Sequence, residues 1–184
     1  IGFIGDSPDT LSLGLFSGAD FAGDRADMRS TSGVFLALYG DHSFLPLSGQ
    51  SRKQTAVSHS TVEAEIVAAD HAIRSSGLPA LQLWERLLNR KLIIDVYQDS
   101  QATAIIMITG RAPTLRHSKR THCVSVAWIR ERVASDDIQL HDCVSAVMAA
   151  DILTKHFIHR DKRVEVCSLV GVVLCVWLVW CWCV

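Results

Sequence analysis

The sequence lacks the features that identify several common kinds of site. Its six cysteines form no C-x-x-C pair, which argues against a disulfide framework and a zinc site and is typical of a reducing intracellular compartment. No G-x-S-x-G segment supports a serine-hydrolase triad, and the chain has no internal repeat. It also shows no N-terminal signal peptide, so we expect an intracellular, cytoplasmic protein.

Charge of either sign is in little excess. The formal net charge is −1, so the chain as a whole does not attract nucleic acid. Positive charge is nevertheless concentrated in one segment that contains a single acid, Glu131. That segment is either the solvated face of a helix or a patch that contacts phosphates. Its basic residues are Arg111, Arg116, Lys119, Arg120, Arg130 and Arg132.

The length of 184 residues fits one domain with a substantial core. The turn-rich segment 1–10 is interpreted as a linker or the end of a preceding region, the domain as 11–172, and 173–184 as an apolar tail. Pro46 lies in the apolar run 44–47 and would either confine that strand to a sheet edge or break it. Apolar and alternating runs predict five strands, at 11–21, 34–39, 44–47, 92–98 and 138–140.

Helical patterns occupy the segments between and after these strands. Ser60 and Glu63 have the form of a capping box at the start of one helix. We expect Gly77-Leu78-Pro79 to end this helix, and Pro79 to begin the next helix. Strands first, followed by alternating helices and strands, predict an α/β fold with helices packed on a mixed sheet. The helices are predicted at 60–75, 79–88, 99–108, 121–134 and 146–157.

Five segments carry a resemblance to a known family. In chain order they read A-D-F-A-G-D-R, R-S-T-S-G, S-T-V-E-A-E, Q-D-S-Q-A and A-D-I-L-T-K. Their order and intervals resemble the ribonuclease H domain at the end of the polyprotein of copia-type LTR retrotransposons. The resemblance runs from about Leu11 to Val172 and implies a five-stranded ribonuclease H-like sheet.

The resemblance also implies a reaction, a metal and partners. The RNA strand of an RNA–DNA hybrid would be hydrolysed with two magnesium ions, which prefer carboxylate oxygens as ligands. Glu65, Asp99 and Asp151 match three of the family's acids and would hold the metal. By themselves, two of them could be solvated helix acids and Asp99 an N-cap. An upstream reverse transcriptase region of the same polyprotein and a virus-like particle are the implied partner and location.

The fourth metal ligand of the family is missing. Its first strand ends in S-D-A-D with the earlier Asp as ligand, whereas this chain has Ser17-Gly18-Ala19-Asp20. Asp20 is a possible weak substitute, but it is displaced by about 6–7 Å along the strand. We therefore expect cleavage to be impaired in what resembles a degenerate copy. The alternative is a non-catalytic nucleic-acid-binding remnant. Candidates for phosphate contact are Arg116, Lys119 and Arg120.

The end of the sequence is unusually apolar. Val166 to Val184 contains no charged residue and approaches the roughly 20 residues that span a bilayer. No Lys or Arg follows to fix an orientation. Three interpretations remain open: translated flanking sequence or a frame error, a membrane tail that tethers the protein, and a core element.

Overall fold

The computed structural model describes residues 2–24, 26–155, 157 and 160–172, which are built around one mixed sheet. The strand order is β3-β2-β1-β4-β5. The first three strands pair antiparallel, and β4 and β5 run parallel to β1. The predicted α/β fold with a mixed five-stranded sheet is confirmed. The strands are β1 (Ser12–Asp20), β2 (Thr31–Gly40), β3 (Ser43–Lys53), β4 (Ile94–Gln98) and β5 (Ile138–Asp142).

Six α-helices lie within the described residues. The predicted interruption at Gly77-Leu78-Pro79 is wrong, because the π-helical turn Ile73–Gly77 joins two α-helices directly. Pro79 is tolerated because it lies in the first turn of the second helix, where no intrahelical partner is needed for its missing N–H. The helices are α1 (Thr61–Ala72), α2 (Leu78–Leu88), α3 (Gln101–Thr109), α4 (Ser118–Thr121), α5 (Val126–Val133) and α6 (Arg160–Leu169).

The edge strand β3 is longer than its apolar run indicated. It continues through polar residues to Lys53, because pairing with β2 satisfies its backbone whatever its side chains are. Pro46 lies at this edge, as predicted, and the pairing register shifts between Leu36 and Ala37 beside it. Proline has no backbone N–H to donate to the neighbouring strand, and the irregular pairing at this point tolerates the missing hydrogen bond.

One face of the sheet carries the main core. Buried residues of β1, β2 and β4 pack there against α1 and α5; Leu15, Ile66 and Ile129 are fully or almost fully buried. Near the end of β1, α1 presents Ala64 and Ala68, which pack on Ala19. Small side chains at this contact let the helix backbone lie close to the strand.

The segment that covers the opposite face of the sheet has a different secondary structure from the predicted one. The expected helix 146–157 is wrong: this segment forms two 3₁₀ turns, Ser145–Val147 and Ala149–Leu153. Met148 has an extended backbone between them. The second turn lies flat on the sheet, so close to Gly33 that its carbonyl at Ala150 would be 2.7 Å from a Cβ at that glycine. A full α-helix would hold its axis farther from the strands.

Two other boundaries also differ. The predicted helix 121–134 begins only at Val126, because Cys123 has a positive φ of 59° after the short α4. Helix α6 was not predicted, since its sequence is dominated by charged residues. None of the helices in the described ranges is long and apolar enough to cross a membrane. The predicted apolar tail, 173–184, lies outside the described residues.

Gly33→Ala should destabilise the fold by about 1–3 kcal/mol. The new Cβ would lie 2.5 Å from Thr154 Cγ2 and 2.7 Å from the Ala150 carbonyl oxygen, so the 3₁₀ turn must move. Gly49→Ala is the matched control, because its Cβ meets only Leu153 side-chain atoms at 3.7–3.8 Å. Urea unfolding measures both; equal stabilities of the two variants would contradict the close packing.

Candidate active site and nucleic-acid interface

The first turn of α1 is fixed by hydrogen bonds around Ser60 and Glu63. Ser60 Oγ accepts from the Glu63 backbone N–H at 3.1 Å, as the capping-box pattern predicts. The Glu63 carboxylate accepts in return from the backbone N–H of His59, at 2.8 Å, one residue earlier than in a standard capping box. The two bonds satisfy one of the free N–H groups of the helix start and the backbone N–H of the residue before the cap.

Glu65 is brought to the end of β1 by this helix start. Its side chain is only 7% exposed. Oε1 accepts from the backbone N–H of Ala19 at 3.2 Å, and Gln98 Nε2 donates to Oε2 at 3.4 Å. Burial raises the pKa of Glu65 to about 7; the charge of Asp99 adds to the rise, while the two donors oppose it. Glu65 is therefore a partly protonated carboxyl group near neutral pH.

Asp99 and Asp151 lie near enough to each other for the charge of Asp99 to act on Asp151. Asp99 follows β4 directly, as predicted, and Oδ2 accepts from Ser145 Oγ at 2.8 Å. Asp151 is held in the second 3₁₀ turn and not in the expected helix. Burial raises its pKa, the hydrogen bond from Lys155 opposes this, and the charge of Asp99 adds to the rise. Asp99 thus interacts electrostatically with both Glu65 and Asp151.

Gly18 lies in β1 and faces Asp151. A Cβ on Gly18 would be 3.8 Å from Asp151 Oδ1 and 3.8 Å from Ala150 Cβ, which are ordinary contact distances. The space for a side chain therefore exists at the position where the resemblance expects the missing acid. The Asp20 carboxylate instead lies against Gly23, in the turn that follows β1.

The residues present do not fit a two-magnesium centre. Their chemistry suits magnesium, because all three are carboxylates. However, within residues 2–24, 26–155, 157 and 160–172, no three Asp, Glu, His or Cys side chains come close enough together to hold one metal ion. Gly18 supplies no side-chain oxygen, and the Lys155 ammonium lies 2.7 Å from Asp151 Oδ2. Each acid is bonded instead to a group of the protein itself.

The candidate phosphate-contacting residues are attached to the start of α1. Ser118 Oγ donates to Glu63 Oε1 at 2.6 Å, and His117 Nε2 lies 2.9 Å from the same oxygen. Burial alone would raise the pKa of Glu63, but the hydrogen bonds from Ser118 and His59 lower it, so the buried group is a carboxylate. The contact holds the neighbouring basic side chains, which are all exposed, beside the turn that positions Glu65. They are Arg116, Lys119 and Arg120.

Sequence reasoning missed the residues that position the three acids. Gln98 and Lys155 both occur in the segments that carry the family resemblance, Q-D-S-Q-A and A-D-I-L-T-K. Ser118 had no such signal, because its partner Glu63 is 55 residues away in the chain. Glu63 itself fits the capping-box pattern, which predicts a local hydrogen bond but not the long-range one.

Removing the charge of Glu65 should stabilise the metal-free protein at high pH only. The pKa of Glu65 is about 7 in the folded protein, above the ordinary value of 4.5. Glu65 therefore does not lower the free energy of unfolding below pH 4.5. Between pH 4.5 and 7 the ionisation of Glu65 lowers it progressively, and above pH 7 the full loss is present. We expect Glu65→Gln to exceed the wild type by up to about 3 kcal/mol at pH 8 and to match it near pH 4.5. Urea unfolding in EDTA measures this, with the exposed Glu131→Gln as control. A stability difference that does not change with pH would contradict the assignment.

Curated proteins with similar sequences are transposon polyproteins. The chain is 32% identical over 158 residues to the retrovirus-related Pol polyprotein from transposon TNT 1-94 of Nicotiana tabacum, matching 85% of this chain and 11% of that protein. It is 30% identical over 148 residues to the retrovirus-related Pol polyprotein from transposon RE1 of Arabidopsis thaliana, matching 80% of this chain and 10% of that protein. The chain thus spans about a tenth of the length of these relatives. No family model matches it.

Solved structures with a similar fold are ribonucleases H. LC11-RNase H1, isolated from compost, superposes with a TM-score of 0.51 at 17% identity, over 78% of this chain and 92% of that one. The same enzyme in complex with an RNA/DNA hybrid superposes with a TM-score of 0.50 at 15% identity, over 78% of this chain and 94% of that one. At these identities the likeness shows the fold alone.

The motifs, the sheet topology and the relatives agree. The expected five-stranded ribonuclease H-like sheet is present, and the sequence relatives are those that the five motifs indicated. The chain belongs to the retrovirus-related Pol polyproteins of transposons, of which it is a segment with the ribonuclease H-like fold.

Proposed function

We propose that this chain is the ribonuclease H domain of a copia-type retrotransposon polyprotein that binds RNA–DNA hybrids but hydrolyses the RNA strand only weakly. The observation that carries the proposal is the position of Gly18. Its Cβ direction leads to Asp151 Oδ1, 3.8 Å away, at the edge where Glu65 and Asp99 also lie. The arrangement is that of a ribonuclease H site from which one carboxylate has been removed while the fold around it remains.

The loss of one carboxylate affects hydrolysis more than folding. In the family reaction, magnesium supplies the activation of the attacking water and the stabilisation of the leaving oxygen. A site with fewer oxygen ligands and less negative charge holds divalent cations less tightly. Glu65 also binds a proton near neutral pH, since burial and the charge of Asp99 raise its pKa to about 7. The three acids therefore carry less charge than their number suggests.

Hybrid binding needs none of the missing chemistry. Arg116, Lys119 and Arg120 are exposed and lie on a segment that Ser118 joins to Glu63. Basic side chains at this place would contact the phosphates of a nucleic acid whose scissile bond lies near Glu65. Recognition would depend on backbone and helix shape, because an enzyme that degrades a whole template cannot depend on base sequence. A ribonuclease H of the same fold has been crystallised with an RNA/DNA hybrid.

The polyprotein supplies the biological setting of the proposal. The curated relatives are about ten times longer than this chain. We propose an upstream reverse transcriptase region as the source of the hybrid, and the cytoplasm or a virus-like particle as the place of reaction. The second candidate function is a binding module without catalysis, which the pairing of Asp151 with Lys155 favours.

Gly18→Asp should restore magnesium-dependent cleavage of a labelled RNA–DNA hybrid. The Cβ of the new residue would meet Ala150 and Asp151 only at ordinary contact distances, 3.8 Å each, so the strand backbone should not need to move. We expect the rate to rise by at least about a hundredfold over the wild type, equivalent to about 3 kcal/mol of barrier. The full chain is assayed with and without EDTA.

Two further variants make this result interpretable. The double change Gly18→Asp, Asp99→Asn should abolish the gained activity, and Gly18→Ala should fold as the wild type does and cleave no faster than it. Strong cleavage by the unaltered chain would disprove the claim of impairment. No cleavage by folded Gly18→Asp, together with retained hybrid binding, would leave the binding-module function.

The triple variant Arg116→Ala, Lys119→Ala, Arg120→Ala should weaken hybrid binding and make it less dependent on salt. Each lost phosphate contact lowers the slope of log K against log salt by roughly 1, so we expect a decrease of about two to three. The control removes two exposed cations at the end of α2, Arg86→Ala and Lys91→Ala. Equal losses in both variants would contradict the proposed interface. Fluorescence anisotropy of a labelled hybrid between 50 and 300 mM salt measures the slopes.

A further inference from the structure

A groove lined by aromatic side chains lies on the face of the sheet opposite α1. Its volume is about 610 Å³, in the range of pockets that enclose drug-sized molecules, so it has room for several large side chains. Among the described residues that line it, Asp142 alone is charged. The side chains that form its apolar surface are Phe16, Tyr39, Phe44, Tyr97, Val147 and Leu169.

The four aromatic rings of this groove form one connected cluster. Phe16 stacks on Tyr97 with ring centroids 4.5 Å apart and planes inclined by 10°. Tyr39 packs against Phe16 at 6.3 Å and against Phe44 at 5.3 Å. Phe16 is buried, but the other three rings are only partly buried by the described residues, and Val147 in the same groove is 48% exposed. An apolar surface of this kind indicates an interaction site.

The end of α6 forms one wall of the groove. Leu169 lines it, and Val170 packs against the same aromatic cluster. Gly171 then adopts a positive φ of 73°, the conformation with which many helices end. The segment 173–184 therefore starts four residues after a side chain that already belongs to the groove.

The segment 173–184 has a composition that suits this groove. Its sequence is V-L-C-V-W-L-V-W-C-W-C-V, with three tryptophans and no charge. Large aromatic side chains pack favourably on other aromatic rings, and this contact removes much apolar surface from water. Trp177 is eight residues after Leu169, and an extended chain of that length reaches about 26–29 Å. That reach exceeds the width of a cavity of 610 Å³, so the segment is long enough to line the groove.

We infer that segment 173–184 docks into the aromatic groove of its own domain and completes the core on that face of the sheet. The covalent connection favours this occupant, because a tethered segment has an effective concentration in the millimolar range, which a second copy or a separate partner does not reach. Of the interpretations that the sequence leaves open for its apolar end, docking corresponds to a core element. The inference does not rest on the proposed function, since neither the three acids nor the basic segment takes part.

The chain carries its own reporters for this contact. Cys143 lines the groove. The segment contains three further cysteines, Cys175, Cys181 and Cys183. A short bifunctional maleimide added to the reduced full chain should therefore join Cys143 to one of these three. Cys123, which is exposed and lies outside the groove, is the internal reference. We expect cross-links from the segment to Cys143 to exceed those to Cys123 severalfold, as measured by peptide mass spectrometry.

The triple variant Trp177→Ser, Trp180→Ser, Trp182→Ser should make Cys143 more accessible. Burial raises the pKa of the Cys143 thiol, so its alkylation rate is compared with the rate of the same thiol in the wild type. We expect the rate to rise at least about fivefold, because a covered thiol reacts only in the fraction of molecules in which the segment is away from the groove. Cross-linking of the segment to Cys143 should fall in the same variant.

The matched control removes exposed apolar side chains elsewhere. Leu83 and Leu87 are 55% and 62% exposed on α2, and Leu83→Ser, Leu87→Ser should leave the alkylation rate of Cys143 unchanged. In an equal mixture of unlabelled and ¹⁵N-labelled protein, cross-links should join peptides of the same isotope. Mixed-isotope cross-links would overturn the inference in favour of a second copy. Equal linking of Cys143 and Cys123, with no effect of the triple variant, would overturn it in favour of a separate partner.

Discussion

The site depends on the close approach of helix α1 to strand β1. Alanines at 64 and 68 pack on Ala19, and this contact brings the Glu65 carboxylate to the Ala19 backbone N–H at 3.2 Å. A larger side chain in the contact would separate helix and strand and leave a buried carboxyl group without its donor, which is costly. The same helix start carries Glu63, whose bond to Ser118 fixes the basic segment. One packing contact and one helix terminus therefore position both the Glu65 carboxylate and the segment of basic residues.

Burying several acids at one sheet edge creates an electrostatic problem that the protein solves with its own groups. Gln98 and the Ala19 N–H donate to Glu65, Ser145 donates to Asp99, and Lys155 pairs with Asp151. Even so, the pKa of Glu65 is raised to about 7. Repulsion between the carboxylates is reduced in three ways: by proton uptake, by internal hydrogen bonds and by the lysine. Bound cations would reduce it in a fourth way. These solutions compete, because an acid that is already neutralised gains less from a metal ion.

Gly18 and Gly33 lie opposite each other but in different packing environments. The position is open, since a Cβ there meets its neighbours only at 3.8 Å, whereas Gly33, paired opposite it on β2, is tightly enclosed by the 3₁₀ turn. A Cβ can be added at position 18 at ordinary contact distances, whereas a Cβ at position 33 would come within 2.5–2.7 Å of the 3₁₀ turn. Two residues paired across β1 and β2 thus differ in how much room the fold leaves for a side chain.

The sequence by itself determined the elements with strong local patterns: the strands β2 and β3, the helix start at Ser60 and the strand before Asp99. The motifs also selected Glu65, Asp99 and Asp151 as candidate site residues, because short segments kept their order in the chain. Only the tertiary structure decided that 146–157 forms 3₁₀ turns, that Ser118 binds Glu63, and that Lys155 pairs with Asp151 at an edge where Gly18 leaves room for a side chain. Periodicity reports which side of an element is apolar, whereas these features depend on how closely distant segments approach and on how their charges balance.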